Sequence, residues 1–410
     1  MDVKLSKRME ILRASDIREI LKVTQHPEVI SFAGGLPAPE LFPVKELEEI
    51  TAEILEEEGP KALQYSTTEG FAPLRERIAA RMNAKWSTRL SADEVLITTG
   101  SQQGLDLIGK LFLDDGDAVL CESPTYLGAI TAWNVFRPRW VEVPTDEDGM
   151  DLDALGRSLD ANPHAKFIYV VPNFQNPSGR TWSFERRVGL MRLAASRGVP
   201  VIEDNPYGEL RFEGESHPAI QSFDEKGLVL SLGTFSKIFC PGLRIGWLAA
   251  RRPFYEKLVI LKQGTDLHTS SLNQMQVARY MERYDLEANV KRTADVYRER
   301  KNAMIGALER EMPAGIRFTR PAGGLFLWVE LPEGVSAREV LALSLERGVA
   351  FVPGGAFFPN GGRENTLRLN FSNMPPARIE VGVKRLAEAV AFEIARHESE
   401  TAAEAAPASA

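Results

Sequence analysis

Residues 94–122, EVLITTGSQQGLDLIGKLFLDDGDAVLCE, predict a strand, a helix and a second strand in that order. The first and last six residues are apolar runs that end in polar or turn residues, as buried strands do. Between them, Leu105, Ile108 and Leu111 recur at the spacing of a helix with one apolar face. Strand–helix–strand alternation favours a parallel sheet covered by helices.

The same alternation continues along the chain. Further strand-like runs are RWVEVP (139–144), FIYVVP (167–172), VPVIED (199–204), GLVLSL (227–232) and GWLAA (246–250). After about residue 290, a charged helical stretch leads into the strand-like runs GGLFLWVELP, VAFVP and TLRLNF. We therefore predict an α/β protein with a mainly parallel, seven-stranded sheet and a smaller α+β domain. The predicted parts are an N-terminal helix and irregular segment (1–45), a large domain (46–290), a small C-terminal domain (291–395) and a disordered tail (396–410).

Composition limits the class of protein. The 410 residues are 44% hydrophobic and 26% charged, as in soluble globular proteins, and the net charge of −8 argues against nucleic acid or an anionic membrane as a partner. No apolar run reaches the roughly 18 residues of a membrane span. Cys121 and Cys240 form no CxxC motif and suit a reducing cytoplasm, where we expect the protein to act. The scattered histidines indicate no metal site.

In open α/β sheets, functional groups gather where strands end. Gly100 permits a tight turn after the first strand, and Ser101 could cap the helix that follows, whose start would bind an anion. Tyr126 could stack on a flat ring or merely cover the sheet edge. Asn176 could offer an amide to a ligand oxygen or serve only its turn. For each of these residues taken alone, both interpretations remain open.

Three charged residues follow later strands. Asp204 closes the run VPVIED and could pair with a buried cation or cap a loop. Lys237 lies between two apolar runs, with Arg244 soon after it, and Arg244 would bind phosphate or carboxylate. Lys237 could also be a solvated loop lysine. Together, the strand ends offer an anion site, an aromatic ring, an amide, a carboxylate and a lysine, and this set matches pyridoxal phosphate.

The segment SLGTFSKIFCPGLRIGW (231–247) resembles the lysine segment of class I/II aminotransferases of fold type I. Roughly residues 10 to 395 are similar to the branch of bacterial 2-aminoadipate aminotransferases and mammalian kynurenine/2-aminoadipate aminotransferases. The motifs that carry this similarity are SFAGGLPAPELFP, LQYSTTEG, ITTGSQQGLDL, NFQNPSG, DLHTSSLNQM, FVPGGAFF and NTLRLNFS.

The resemblance implies roles for the residues at the cofactor ring. Lys237 forms the Schiff base with the cofactor aldehyde and, once freed, moves the proton between Cα and C4′. Asp204 keeps the pyridine nitrogen protonated, and Tyr126 stacks on the ring. Asn176 and Tyr207 hydrogen-bond the phenolic oxygen.

The resemblance also implies how the phosphate and the substrate are bound. Tyr65 would reach the phosphate of the neighbouring subunit, which implies a homodimer with shared active sites. Arg368 would bind the α-carboxylate of the amino acid or 2-oxo acid substrate, with Asn176 beside it. The phosphate would be held by Ser101, Gln102, Thr234, Ser236 and Arg244.

The expected reaction is transfer of an amino group between 2-aminoadipate, glutamate or a similar amino acid and 2-oxoglutarate, in a ping-pong mechanism. Aromatic and branched-chain donors are further expectations. Arg18 lies where the branch has an arginine for acidic side chains, although it could be a surface cation of its helix. Gly34 and Gly35 would let the segment FAGGLPAPELFP (32–43) move over the substrate.

Two kinds of alternative remain. A lyase, decarboxylase or synthase of the same fold would carry the same cofactor motifs, and only the substrate-side similarity favours transamination. A regulator of the MocR type, or an inactive binding module, is less well supported. The regulator needs a DNA-binding domain ahead of the cofactor domain, and the inactive module conflicts with the presence of Lys237, Asp204 and Arg368.

Overall fold

The computed structural model describes residues 3–10 and 28–405. In chain order, its strands are β1 (Ile30–Ser31), β2 (Val95–Thr99), β3 (Ala118–Ser123), β4 (Arg139–Asp146), β5 (Gly149–Met150), β6 (Phe167–Val170), β7 (Val201–Asp204), β8 (Val229–Thr234), β9 (Ile245–Ala249), β10 (Arg317–Phe318), β11 (Phe326–Glu330), β12 (Val349–Ala350), β13 (Val352–Pro353) and β14 (Thr366–Asn370). Its α-helices are α1 (Val44–Ala62), α2 (Ala72–Trp86), α3 (Ser101–Phe112), α4 (Leu127–Asn134), α5 (Leu152–Ala161), α6 (Phe184–Arg197), α7 (Phe254–Asp266), α8 (Ser271–Arg283), α9 (Leu286–Glu311), α10 (Ala337–Glu346) and α11 (Pro376–Ala405).

The large sheet has the spatial order β2-β9-β8-β7-β6-β3-β4-β5. All seven strand-like runs of the sequence form strands in it. The eighth strand, β5, is a two-residue hairpin partner of β4, too short to show a pattern in the sequence. Of the seven longer strands, six run in the same direction and β9 runs opposite to them. The connection between β8 and β9 is short, and parallel neighbours need a longer crossover.

Both faces of this sheet are covered. Along β3, Val119 and Cys121 pack into one apolar cluster, whereas Ala118 and Leu120 pack into a second cluster on the other face. This period of two explains why the strand is apolar throughout. Because the parallel strands share one direction, their carboxyl ends lie at the same edge of the sheet, next to the starts of α3 and α4.

The small domain is built on an antiparallel sheet of order β10-β11-β14-β13. The N-terminal segment joins this part of the chain, because β1 pairs with β12 in parallel, with Ile30 opposite Val349. The long helices α9 and α11 pack against each other beside it.

One expectation needs correction at the C-terminus. Helix α11 runs to Ala405, through most of the segment that the sequence analysis predicts to be a disordered tail. The segment is rich in alanine and glutamate, which have high helix propensity, so its small polar composition is compatible with a helix.

Candidate active site

An open cavity with an accessible volume of about 150 Å³ lies at the carboxyl edge of the large sheet. Every residue predicted to bind the cofactor lines it, except Tyr65. Its lining consists of Ser101, Gln102, Tyr126, Val171, Asn176, Asp204, Pro206, Tyr207, Thr234, Ser236, Lys237, Pro241 and Arg244.

Asp204 is the last residue of β7 and is buried. Its Oδ2 accepts a hydrogen bond from the Tyr169 hydroxyl at 2.9 Å, whereas its Oδ1 has no partner among the described residues. Burial raises the pKa of Asp204 to about 7, and the bond from Tyr169 opposes this rise. A buried carboxylate oxygen without a donor fits a ligand that brings a positively charged N–H group.

Lys237 lies in the connection between β8 and β9, at the same edge as Asp204. Its Nζ donates a hydrogen bond to the Gly35 carbonyl at 2.8 Å. Burial lowers the pKa of Lys237 to about 8, and the positive charges of Arg368 and Arg244 add to this effect. The amine is therefore neutral, and able to act as a nucleophile, much closer to neutral pH than an exposed lysine.

Three polar side chains lie beside this pair. Asn176 is buried, and its Nδ2 donates to the Tyr207 hydroxyl at 3.3 Å. Tyr126 precedes α4, and a side chain at Gly128 would collide with its ring. Burial, together with the charge of Asp204, raises the pKa of Tyr126 to about 12, so its hydroxyl stays protonated.

The opposite end of the cavity is suited to an anion. Helix α3 begins here, and its first backbone N–H groups and positive dipole end attract negative charge. A Cβ atom on Gly246 of β9 would lie 2.7 Å from the Ser101 nitrogen, so only glycine lets this strand approach the helix start. The Thr234 hydroxyl accepts the Ser236 backbone N–H at 3.0 Å, and Arg244 has its backbone in the left-handed region, at φ 54°.

Ser101 does not cap helix α3, contrary to the expectation from the sequence. Gly100 is the cap residue, with φ 72°, and Ser101 is the first residue of the helix. Glycine adopts this backbone conformation without strain. A side chain at Gly100 would also collide with the Arg244 guanidinium.

Arg368 brings a buried guanidinium from β14 of the small domain. Its Nη1 donates to Asn176 Oδ1 at 2.8 Å and its Nη2 donates to the Ala33 carbonyl, whereas its Nε has no partner among the described residues. The rings of Phe326 and Phe357 lie 4.2 and 5.1 Å from the guanidinium carbon, measured to their centroids. No carboxylate in the described part of the chain forms an ion pair with it, so it can bind a carboxylate ligand.

Two predicted site residues lie elsewhere. Tyr65 is 78% exposed, and the centroid of its ring lies 5.9 Å from that of His268, away from the cavity. Arg18 lies outside the described residues. Gly35 reaches the site only through its carbonyl oxygen, which accepts from Lys237.

Sequence reasoning missed Tyr169 and Gly246. Tyr169 holds Asp204 from the neighbouring strand, since β6 and β7 pair with Tyr169 opposite Ile202. A tyrosine inside an otherwise apolar run was the available signal, because a buried hydroxyl needs a partner. The described residues include no cluster of metal-ligating side chains, and none of their helices is long and apolar enough to cross a membrane.

Comparison with known proteins agrees with this geometry. The family model described as aminotransferase class I and II matches residues 35–386. The 2-aminoadipate transaminase of Thermus thermophilus is 48% identical over 382 residues, covering 92% of this chain and 94% of that protein. Aromatic-amino-acid aminotransferase 1 of Thermococcus litoralis is 45% identical over 387 residues, 93% of each chain.

A solved structure shows the same likeness in three dimensions. It is LysN, the alpha-aminoadipate aminotransferase of Thermus thermophilus, in complex with N-(5'-phosphopyridoxyl)-L-leucine. It superposes with a TM-score of 0.90 at 45% identity, covering 96% of this chain and 98% of that one. The protein is therefore an enzyme that belongs to the class I and II aminotransferases.

Proposed function

We propose that this aminotransferase exchanges the amino group between L-2-aminoadipate or a similar amino acid and the pair glutamate and 2-oxoglutarate, in a ping-pong reaction. The observation that carries the proposal is the buried guanidinium of Arg368, which has no carboxylate partner in the described chain and lies beside the cavity that contains Lys237 and Asp204. The 48% identity to a protein named 2-aminoadipate transaminase supports this choice of donor. Aromatic and branched-chain amino acids are further donors that we expect.

The cofactor of the family is pyridoxal phosphate, and the residues of the cavity fit it. Asp204 Oδ1 can accept the ring N–H, Tyr126 can stack on the ring, and Asn176 and Tyr207 can bind its phenolic oxygen. The phosphate fits the start of α3, held by the side chains of Ser101, Gln102, Thr234, Ser236 and Arg244. When bound, the cofactor supplies an aldehyde that takes up the amino group and a protonated ring that withdraws electrons from Cα.

The chain itself supplies a base and a fixed charge. The lowered pKa of Lys237 lets its Nζ take the proton from the substrate Cα at near-neutral pH. Asp204, once paired with a ring N–H, stays ionised and so keeps that nitrogen protonated. Gly35 can hold the amine of Lys237 whenever it is free.

The substrate would be held from both ends. Arg368 binds the α-carboxylate, which competes with Asn176 Oδ1 and the Ala33 carbonyl for the guanidinium. In this proposal Arg18 binds the distal carboxylate of an acidic substrate. The segment with Gly34 and Gly35 closes over the bound molecule.

The proposed assembly is a homodimer in the cytoplasm. Tyr65 is highly exposed on its own subunit, so its phenol is free to reach the phosphate bound by a partner subunit. Cys121 and Cys240 are both buried and unpaired, which agrees with a reducing compartment.

The test is an absorption titration of the purified protein with L-2-aminoadipate in the absence of any 2-oxo acid. We expect the visible band of the lysine-bound cofactor to fall as the amino group is transferred, and 2-oxoglutarate to restore it. L-Leucine and L-phenylalanine, titrated in the same way, rank the side chains. A band that is present but unchanged by any amino acid contradicts transamination and favours another reaction of the same cofactor.

A further inference from the structure

Glu122 is a buried carboxylate at the end of β3 that the mechanism above does not use. Its Oε2 accepts the backbone N–H of Val171, and its Oε1 accepts the indole N–H of Trp182, both at 2.8 Å. Both donors belong to the chain that follows β6. One carboxylate therefore joins the segments that leave two neighbouring strands.

Gln175 makes a second connection between the same segments. Its Nε2 donates to the Pro124 carbonyl at 2.8 Å, and its Oε1 accepts from the Ser178 backbone and hydroxyl at 3.1 and 2.5 Å. Its amide also favours the charged form of Glu122, whose pKa it lowers. We call Glu122, Gln175 and Trp182 the Glu122 bridge, and all three side chains are almost fully buried.

The two segments that the bridge joins both carry residues of the candidate site. Pro124 lies two residues before Tyr126, and Gln175 directly precedes Asn176. Resting on the proposed function, we infer that Glu122 is a positioning residue: its carboxylate fixes Tyr126 and Asn176 relative to each other, so that one stacks on the cofactor ring while the other binds the phenolic oxygen.

The ionised carboxylate of Glu122 is suited to joining the two segments because it only accepts hydrogen bonds and both of its partners are N–H donors. Burial raises the pKa of Glu122 to about 7, whereas the bonds from Val171, Trp182 and Gln175 lower it and favour the charged form. A glutamine in its place keeps the size but turns an NH₂ group towards one of the N–H donors. A buried donor that meets another donor is left unsatisfied, and the two segments must shift apart.

The experiment compares Glu122→Gln with Asp224→Asn in the full chain loaded with pyridoxal phosphate. Asp224 is a matched control, since it is also buried, lies in the connection between β7 and β8 away from the candidate site, and its two oxygens accept the backbone N–H groups of Gly227 and Val229. For E122Q we expect a shifted absorption maximum of the bound cofactor and a higher dissociation constant for it. We also expect kcat/KM with L-2-aminoadipate to fall about tenfold. D224N should lower the melting temperature but keep the wild-type spectrum.

Each outcome decides one question. If the wild type fails to convert L-2-aminoadipate, the proposed function fails, whatever the variants do. If the wild type converts it and E122Q keeps the wild-type spectrum, affinity and kcat/KM, the positioning role of Glu122 is overturned. An equal spectral change in D224N also overturns it, because the effect is then general. If E122Q does not fold, Trp182→Phe removes one donor to Glu122: a spectral shift supports the inference and an unchanged spectrum overturns it.

Discussion

The carboxyl group of Asp204 has one oxygen bonded to Tyr169 and one without a partner in the described chain. Its pKa of about 7 in the folded protein lies well above the roughly 3.9 of an unfolded chain. Between these values the folded state binds more protons than the unfolded state. Without cofactor, the free energy of unfolding therefore falls as the pH rises from about 4 to about 7.

Replacing Asp204 with asparagine should raise the stability of the cofactor-free protein and lower the activity of the loaded enzyme. Without cofactor, Asp204→Asn should melt at a higher temperature than the wild type at pH 8, and the difference should shrink towards pH 4, as calorimetry can measure. With cofactor, kcat should fall at least about a hundredfold, because the fixed charge beside the ring is lost. Asp224→Asn is the control: both Asp224 oxygens accept backbone N–H groups, so this variant should melt lower. A D204N protein no more stable than the wild type at pH 8 would contradict the argument.

Among the elements, the longer strands and the mainly parallel sheet were predictable, whereas the reversed direction of β9 was not. The run IGWLA of β9 is apolar because both faces of the sheet are covered, and it has the same pattern in either direction. Its antiparallel direction follows from the short connection that leaves β8. This connection places Lys237 and Arg244 at the same edge of the sheet. Their short separation in the sequence also indicated that they lie close together.

The start of α3 gives a prediction at the scale of an element. Gly246→Ala places a methyl group 2.7 Å from the Ser101 nitrogen and must displace the first turn of the helix. The dissociation constant for pyridoxal phosphate should rise about tenfold or more, whereas that for pyridoxal, which lacks the phosphate, should change much less. Gly242→Ala is the control in the same region, since its Cβ would meet no atom within 4 Å. Equal losses for both ligands would show that the helix start does not bind the phosphate.

Across the whole molecule, the sequence placed the candidate residues at strand ends but could not give their contacts. Asp204 and Lys237 follow apolar runs, so their common edge was predictable. The bond from Tyr169 to Asp204 depends on the register of two strands, and the bond from Arg368 to Asn176 depends on how the small domain packs. Hydrophobic patterns determine which face a residue occupies, and they leave such distances open.

The proposed homodimer predicts that two impaired variants can restore activity when they form a dimer with each other. Lys237→Ala should be inactive, and Tyr65→Ala should lose phosphate affinity. When the two variants are mixed and allowed to exchange subunits, half of the dimers are hybrids, each with one complete site, so activity should recover to about a quarter of the wild type. Mixing K237A with wild type is the control for the procedure, because exchange leaves the number of complete sites unchanged and the activity should stay constant. Native mass spectrometry of the mixtures shows whether subunits have exchanged. No gain after proven exchange would show that Tyr65 does not serve the partner's site.

The Asp204 oxygen that has no partner in the described chain also makes the stability of this enzyme depend on the supply of its cofactor. A bound cofactor supplies a partner for this oxygen and stabilises the folded chain, by an amount that grows with the logarithm of the cofactor concentration once this exceeds the dissociation constant. A cell short of the vitamin that provides the cofactor would hold more of the protein in its weaker form, which proteases degrade first. We expect the abundance of the enzyme to follow vitamin supply with no change in the transcription of its gene.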